Sequence, residues 1–156
     1  MVDTMLKERD KAPEFSLQGS DGKTHTLTEF SGKYLVLYFY PKDDTPGCTT
    51  EAKCFNGSMG AIKAAGAEVV GVSSDNLESH GKFSSKYGLS FLLLSDPHHE
   101  VIKKYDAYGD RGVFGKGTLR KTFVIDGNGI IVRIFDKVKP DGHDKQVLEF
   151  INSQKG

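Results

Sequence analysis

Two short apolar runs, Tyr34 to Tyr40 and Ala67 to Val72, most constrain the fold of this chain. The first is continuously apolar and aromatic and the second is valine-rich around a single Glu68, as in buried strands. Between them the spacing gives a helix from about Thr49 to Ala65, stopped by Gly66. A strand, a helix and a second buried strand make a parallel crossover unit. The same alternation continues. Asn76 to Tyr87 reads as a helix ended by Gly88, Phe91 to Leu94 as a strand ended by Ser95-Asp96-Pro97, and His99 to Tyr105 as a short helix. Lys121 to Ile125 and Ile130 to Phe135 form a hairpin about Asp126-Gly127-Asn128-Gly129, and Asp144 to Ser153 is a closing helix. Near the start, Phe15-Ser16-Leu17 and Thr24 to Leu27 flank the hairpin signal Asp21-Gly22. Gly109 to Gly117 is the one long irregular stretch and reads as a mobile loop. The expected class is α/β, a central mixed β-sheet flanked by helices with an extra N-terminal β-hairpin, in a single domain over 1–156.

The first crossover also carries the chemistry. Pro41-Lys42-Asp43-Asp44-Thr45-Pro46-Gly47-Cys48-Thr49-Thr50-Glu51 runs from the end of a strand into a helix. A cysteine at a helix start meets unpaired N–H groups and the positive end of the dipole, which favour thiolate over thiol. Helical periodicity puts Ala52, Phe55, Met59 and Ile62 on one stripe with Cys48, so the sulfur faces inward. Pro41 and Pro46 would shield it, and the Thr45 hydroxyl can bond either the sulfur or an oxygen of a substrate. A lone buried cysteine is usually inert. What lifts Cys48 above that reading is its company.

Pro41, Thr45 and Cys48 match the Pro-x-x-x-Thr-x-x-Cys signature of peroxiredoxins, and the string from Tyr40 to Ala52 resembles the Q-type subfamily, also called bacterioferritin comigratory protein. Arg120, just before Lys121, stands where that family places its pocket arginine. The resemblance extends from Ala12-Pro13-Glu14-Phe15 to the last helix. It implies a thioredoxin-like fold and a thiol-dependent peroxidase acting on hydrogen peroxide and organic hydroperoxides through a Cys48 sulfenic acid. It further implies thioredoxin or a similar dithiol protein as reductant, often a monomer, and no metal or organic cofactor.

Cys54 departs from the pattern. In the Q-type family a resolving cysteine on this helix lies five residues after the nucleophile, where Lys53 stands here. Cys54 points about 120° away from Cys48 and lies about 9 Å further along the axis, whereas a disulfide needs Cα atoms closer than about 7 Å. The two cannot pair while the helix is intact. Asn56-Gly57 and Gly60 weaken that helix, each Gly by roughly 1 kcal/mol relative to Ala. Two readings stay open: Cys54 resolves the sulfenic acid after the helix melts, or an external thiol does.

Other chemistries fit less well. A thioredoxin-like disulfide reductase would need Cys-x-x-Cys, and Thr49-Thr50-Glu51 follows Cys48 instead. A cysteine phosphatase would need an arginine where Cys54 stands. A redox sensor would share every site residue and is told apart only by turnover. His98-His99 do not share a helix face and read as a solvated turn; His25, His80 and His143 are isolated and read as surface residues. Glu51, on the first turn, either orients Arg120 or simply compensates the dipole. Residues 112–118 fail the spacing of a phosphate loop, and Phe114 there is a candidate border of the substrate mouth. Lys plus Arg and Asp plus Glu balance at 21 each, without blocks, which argues against nucleic acid or an anionic membrane as partner. The charged stretch Met1 to Asp10 lacks an apolar signal region, no apolar run spans a membrane, and the chain has two cysteines. A cytoplasmic location is expected, with an organelle form after transit-peptide removal reading the same way.

Overall fold

A computed structural model describes residues 5–154, so part of the charged amino-terminal stretch, 1–4, lies outside the described residues. A seven-stranded mixed sheet has the order β2 (Thr24–Thr26), β1 (Ser16–Gly19), β5 (Leu92–Ser95), β4 (Ala67–Ser73), β3 (Tyr34–Phe39), β8 (Lys121–Ile125), β9 (Ile131–Phe135). The two buried runs lie at its centre as β3 and β4, parallel and in register from Tyr34↔Ala67 to Phe39↔Val72. β5 continues the parallel set. On it lies the N-terminal hairpin, β1 and β2, with Gly22 in the left-handed region its turn requires (φ +79°). On the other side β8 runs antiparallel to β3, and β9 pairs with β8.

Alternation along β3 divides the core. Leu35, Leu37 and Phe39 join Ile102, Tyr105, Phe123 and Ile131 on one face. Val36, Tyr38 and Tyr40 join Ala52, Phe55, Ile62 and Val147 on the other. The second face holds α1 (Pro46–Gly57), α2 (Met59–Ala64), α3 (Leu77–Tyr87) and α5 (His143–Ser153). The short α4 (Glu100–Lys104) belongs to the first, and Asp96 accepts hydrogen bonds from the N–H groups of Glu100 and Ile102 at its start.

The structure corrects the sequence reading in three places. The helix after β3 begins at Pro46 rather than Thr49, because a proline at the first helical position gives up only an N–H that has no partner there. It does not run on to Ala65 but breaks at Ser58 (φ −99°, ψ 2°), directly after Gly57, and resumes at Met59. Residues 109–117, expected as a loop, fold into a small hairpin of β6 (Tyr108–Asp110) and β7 (Lys116–Thr118) around a 3-10 turn at Gly112–Phe114. At its tip Phe114 is 74% exposed, and the guanidinium of Arg111 lies 5.0 Å from the ring centroid.

Gly71 of β4 matters for the site. It pairs with Tyr38, and a Cβ there would lie 2.9 Å from Tyr38 Cζ and 3.0 Å from Leu93 Cδ2. The missing side chain lets the Tyr38 ring lie over β4 while it stacks on Phe55, ring centroids 4.9 Å apart. Gly71→Ala is expected to lower stability by roughly 1–3 kcal/mol through overpacking. Urea unfolding checks this; an unchanged midpoint would show that Tyr38 has room to move.

Candidate active site

Thr45 is extended (φ −96°, ψ 158°) and caps α1 through its carbonyl, which accepts from the Thr49 N–H at 2.8 Å. Its hydroxyl donates to the Lys42 carbonyl at 2.9 Å, leaving the oxygen's lone pairs free to accept. Cys48 is therefore the third residue of α1, and the inward stripe holds: Cys48 is 1% exposed and Ala52, Phe55 and Ile62 are fully buried. Pro41 is half-buried at the end of β3, while Pro46 is exposed on the outer side of the first turn.

Because β8 lies beside β3, the residue just before it, Arg120, comes within reach of α1. Its Nη1 lies 3.6 Å from Cys48 Sγ and donates to Glu51 Oε1 at 2.8 Å. Gly47 makes room for this, since a Cβ there would stand 2.9 Å from Arg120 Nη2. Burial would lower the basicity of Arg120, but the charges of Cys48 and Glu51 outweigh that and raise it.

Glu51 is fully buried. Its Oε1 is paired with Arg120, and its Oε2 has no hydrogen-bond partner among the described residues, nor has the buried Tyr38 hydroxyl. Burial pushes the Glu51 carboxyl up to about 7, against the opposing pull of Arg120. Burial also raises Tyr38 well above its ordinary value, with Glu51 and Cys48 adding to it. Glu51 therefore holds its proton more tightly folded than unfolded. Its contribution to stability is present below its ordinary value of 4.5 and is lost as pH rises through about 7. Relative to Glu51→Gln, the protein is expected to lose stability across that window and stay level above it. A difference independent of pH would mean that Arg120 compensates the carboxylate in full.

Cys54, whose offset of about 120° from the inward-facing Cys48 reads as facing solvent, is instead half-buried, and both cysteines are free. Near it, Asn56 ties α1 to the end of α3. Its amide donates to the Gly88 carbonyl, and its Oδ1 accepts from the N–H and hydroxyl of Ser90.

The histidine reading is corrected: His25, His80 and His143 are all buried, at 8%, 0% and 1% exposure. His143, first residue of α5, sits between Phe55 and Phe135. Its Nδ1 donates to Gln146 Oε1 and its Nε2 accepts from the Thr122 hydroxyl. Burial lowers it, and Arg120 adds to that, so the ring stays neutral beside the site. For His25 a signal was available, since Asp21 and Glu29 flank it four residues away on either side and bond both ring nitrogens. His80 bonds only partners remote in sequence, and of the two partners of His143 only Gln146 is local while Thr122 lies 21 residues back.

The AhpC/TSA family model matches residues 9–134. The chain belongs to the AhpC/TSA family. Within it the similarity is to the Bcp and Q-type peroxiredoxins. Peroxiredoxin Bcp of Bacillus subtilis is 44% identical over 142 residues, covering 89% of this chain and 90% of its own length. The crystal structure of a Xylella fastidiosa PrxQ variant superposes with a TM-score of 0.94 at 32% identity, over 99% of this chain and 100% of that one. Bacterioferritin comigratory protein of Xanthomonas campestris, described for its alkyl peroxide reduction activity, gives 0.86 at 37% identity over 91% and 92%. The fold is thus the thioredoxin-like fold of peroxiredoxins, with the expected N-terminal hairpin. As a peroxiredoxin the chain is a thiol-dependent peroxidase, with a peroxide as oxidant and a thiol as reductant.

Proposed function

We propose that Cys48 is the peroxidatic nucleophile and that Thr45, Arg120 and Pro41 build its pocket. The observation that carries this is a buried sulfur on the first turn of a helix, 3.6 Å from an arginine nitrogen that a buried glutamate holds in place. The Cys48 thiolate attacks one oxygen of the hydroperoxide. The S–O bond forms as the O–O bond breaks, and the departing oxygen takes a proton to leave as water or an alcohol. Cys48 becomes a sulfenic acid. Arg120 stabilises the charge moving onto the departing oxygen, and the Thr45 hydroxyl aligns the peroxide. Pro41 keeps water from the sulfur. Nothing in this sequence of steps calls for a metal or an organic cofactor.

Two electrons from a dithiol protein such as thioredoxin then restore the thiol. We favour Cys54 as the resolving residue, since it is the only other cysteine and its helix is interrupted four residues later. Its place, about 9 Å along an intact helix, requires α1 to unwind before the sulfurs meet. Mass spectrometry after one equivalent of peroxide distinguishes a Cys48–Cys54 disulfide from a lone oxidised Cys48. Cys54→Ser is expected to form sulfenic acid once, to lose thioredoxin-dependent turnover and to over-oxidise faster. Full thioredoxin-dependent turnover in that variant would assign resolution to an external thiol.

We take the chain as one peroxiredoxin domain that acts as a cytoplasmic monomer without nucleic-acid or membrane partners. The balanced charge supports the lack of a nucleic-acid or anionic-membrane partner, and among the described residues no helix is long and apolar enough to cross a membrane.

A further inference from the structure

The loop 41–45 carries two of the proposed site residues, and its middle is held by residues that do not belong to the proposed site. Asp43 is 6% exposed. Its Oδ1 accepts from the Tyr40 hydroxyl at 2.5 Å, and its Oδ2 accepts from the Ser79 hydroxyl at 2.8 Å and contacts His80 Nδ1 at 2.6 Å. Its N–H donates to Asp75 Oδ2, which the Ser73 hydroxyl also bonds. The next residue, Asp44, takes a left-handed conformation (φ +57°) and accepts from Lys86 Nζ and the Tyr87 hydroxyl. Apart from Tyr40, these partners lie at the end of β4, at the junction that follows it, or on α3.

His80 is the innermost of them, fully buried. Its Nε2 lies 2.8 Å from the Leu94 carbonyl, which can only accept, so Nε2 carries a hydrogen. Its Nδ1 faces a carboxylate oxygen, where two lone pairs would repel, so one proton lies in that contact. The ligand atoms of Asp43, Asp75 and His80 all fall within 4.8 Å of one another, as in a metal site. A tetrahedral ion such as zinc, however, would hold its nitrogen and oxygen ligands about 3.3 Å apart, and here they are 2.6 Å apart. The contact is a hydrogen bond.

We propose that His80 is a positioning residue for peroxide reduction. Through the shared proton it fixes Asp43. Asp43 fixes the adjoining Lys42 carbonyl, and that carbonyl receives the Thr45 hydroxyl and so sets the direction in which Thr45 meets the peroxide. The proposal rests on Cys48 and Thr45 having the roles given above.

The test compares two reactions of Cys48. Oxidation by hydrogen peroxide needs Thr45 in place, whereas alkylation by iodoacetamide needs only the thiolate. In His80→Ala and in Asp43→Ala the peroxide rate constant is expected to fall roughly 10- to 100-fold, with alkylation little changed. The double variant should be no slower than the slower single one, because both remove one contact. Asp43→Asn should recover most of the rate, since its amide can donate to His80 Nδ1 and keep the contact with the proton's direction reversed. A peroxide rate unchanged in folded His80→Ala overturns the proposal, as does an equal fall in both reactions. If His80→Ala does not fold, equal peroxide rates in Asp43→Asn and Asp43→Ala overturn it. Failure of the nucleophile assignment shows separately, as peroxide reduction that survives Cys48→Ser.

Discussion

Cys48→Ser is expected to consume no hydroperoxide while keeping its fold. Serine fits the space of the sulfur and preserves the packing of α1 on β3, so the inward stripe through Ala52, Phe55 and Ile62 is untouched. The change is chemical. A serine hydroxyl stays protonated in neutral water, and an un-ionised hydroxyl is a poor nucleophile toward an O–O bond. Peroxide consumption in the presence of reductant, with circular dichroism to confirm folding, measures it. Near-normal turnover would move the nucleophile to Cys54, the other cysteine of the chain, and would undo the whole assignment of the pocket.

Arg120→Met should slow sulfenic acid formation by a factor of about 10² to 10³, the usual cost of removing one donor aimed at developing charge. Methionine keeps much of the arginine's apolar stem and removes both contacts of Nη1, to Cys48 and to Glu51. The buried Glu51 then loses its counter-charge. Since burial already pushes that carboxyl up to about 7, it answers by taking a proton rather than by unfolding the chain. Stopped-flow oxidation with hydrogen peroxide should therefore register a large loss in a protein that remains folded. A rate equal to that of the parent would remove Arg120 from the transition state and leave it as a partner for Glu51 only.

Much of this was legible before any coordinates. The strand runs and the inward stripe of α1 follow from local patterns, whereas the pairing of Cys48 with Arg120, 72 residues apart, was implied by the resemblance to peroxiredoxins. They were legible because apolar periodicity and a motif at a helix start are short-range properties. The limits of α1 were not. Pro46-Gly47 and Asn56-Gly57 both look like turn material, yet the first pair opens the helix and only the second closes it. The reason lies in the site, since Gly47 must lie under Arg120. The buried histidines failed for a related cause. Whether a histidine stays on the surface or goes inside depends on its partners, and those of His80 and His143 are chosen by the tertiary fold.

The interruption at Ser58 carries a mechanical consequence. The Ser58 hydroxyl bonds Asp144 at the start of α5, and just before it Asn56 is moored to Gly88 and Ser90. The helix that carries both cysteines is a 12-residue segment, Pro46–Gly57, moored near its far end through Asn56. If it uncoils to bring Cys54 toward Cys48, its far end is already a fixed post, and α2 and β4 beyond it need not take part. Both cysteines sit inside that span, so oxidation can be answered by a slack length of chain strung between two anchors, while the sheet that positions Arg120 stays where it is.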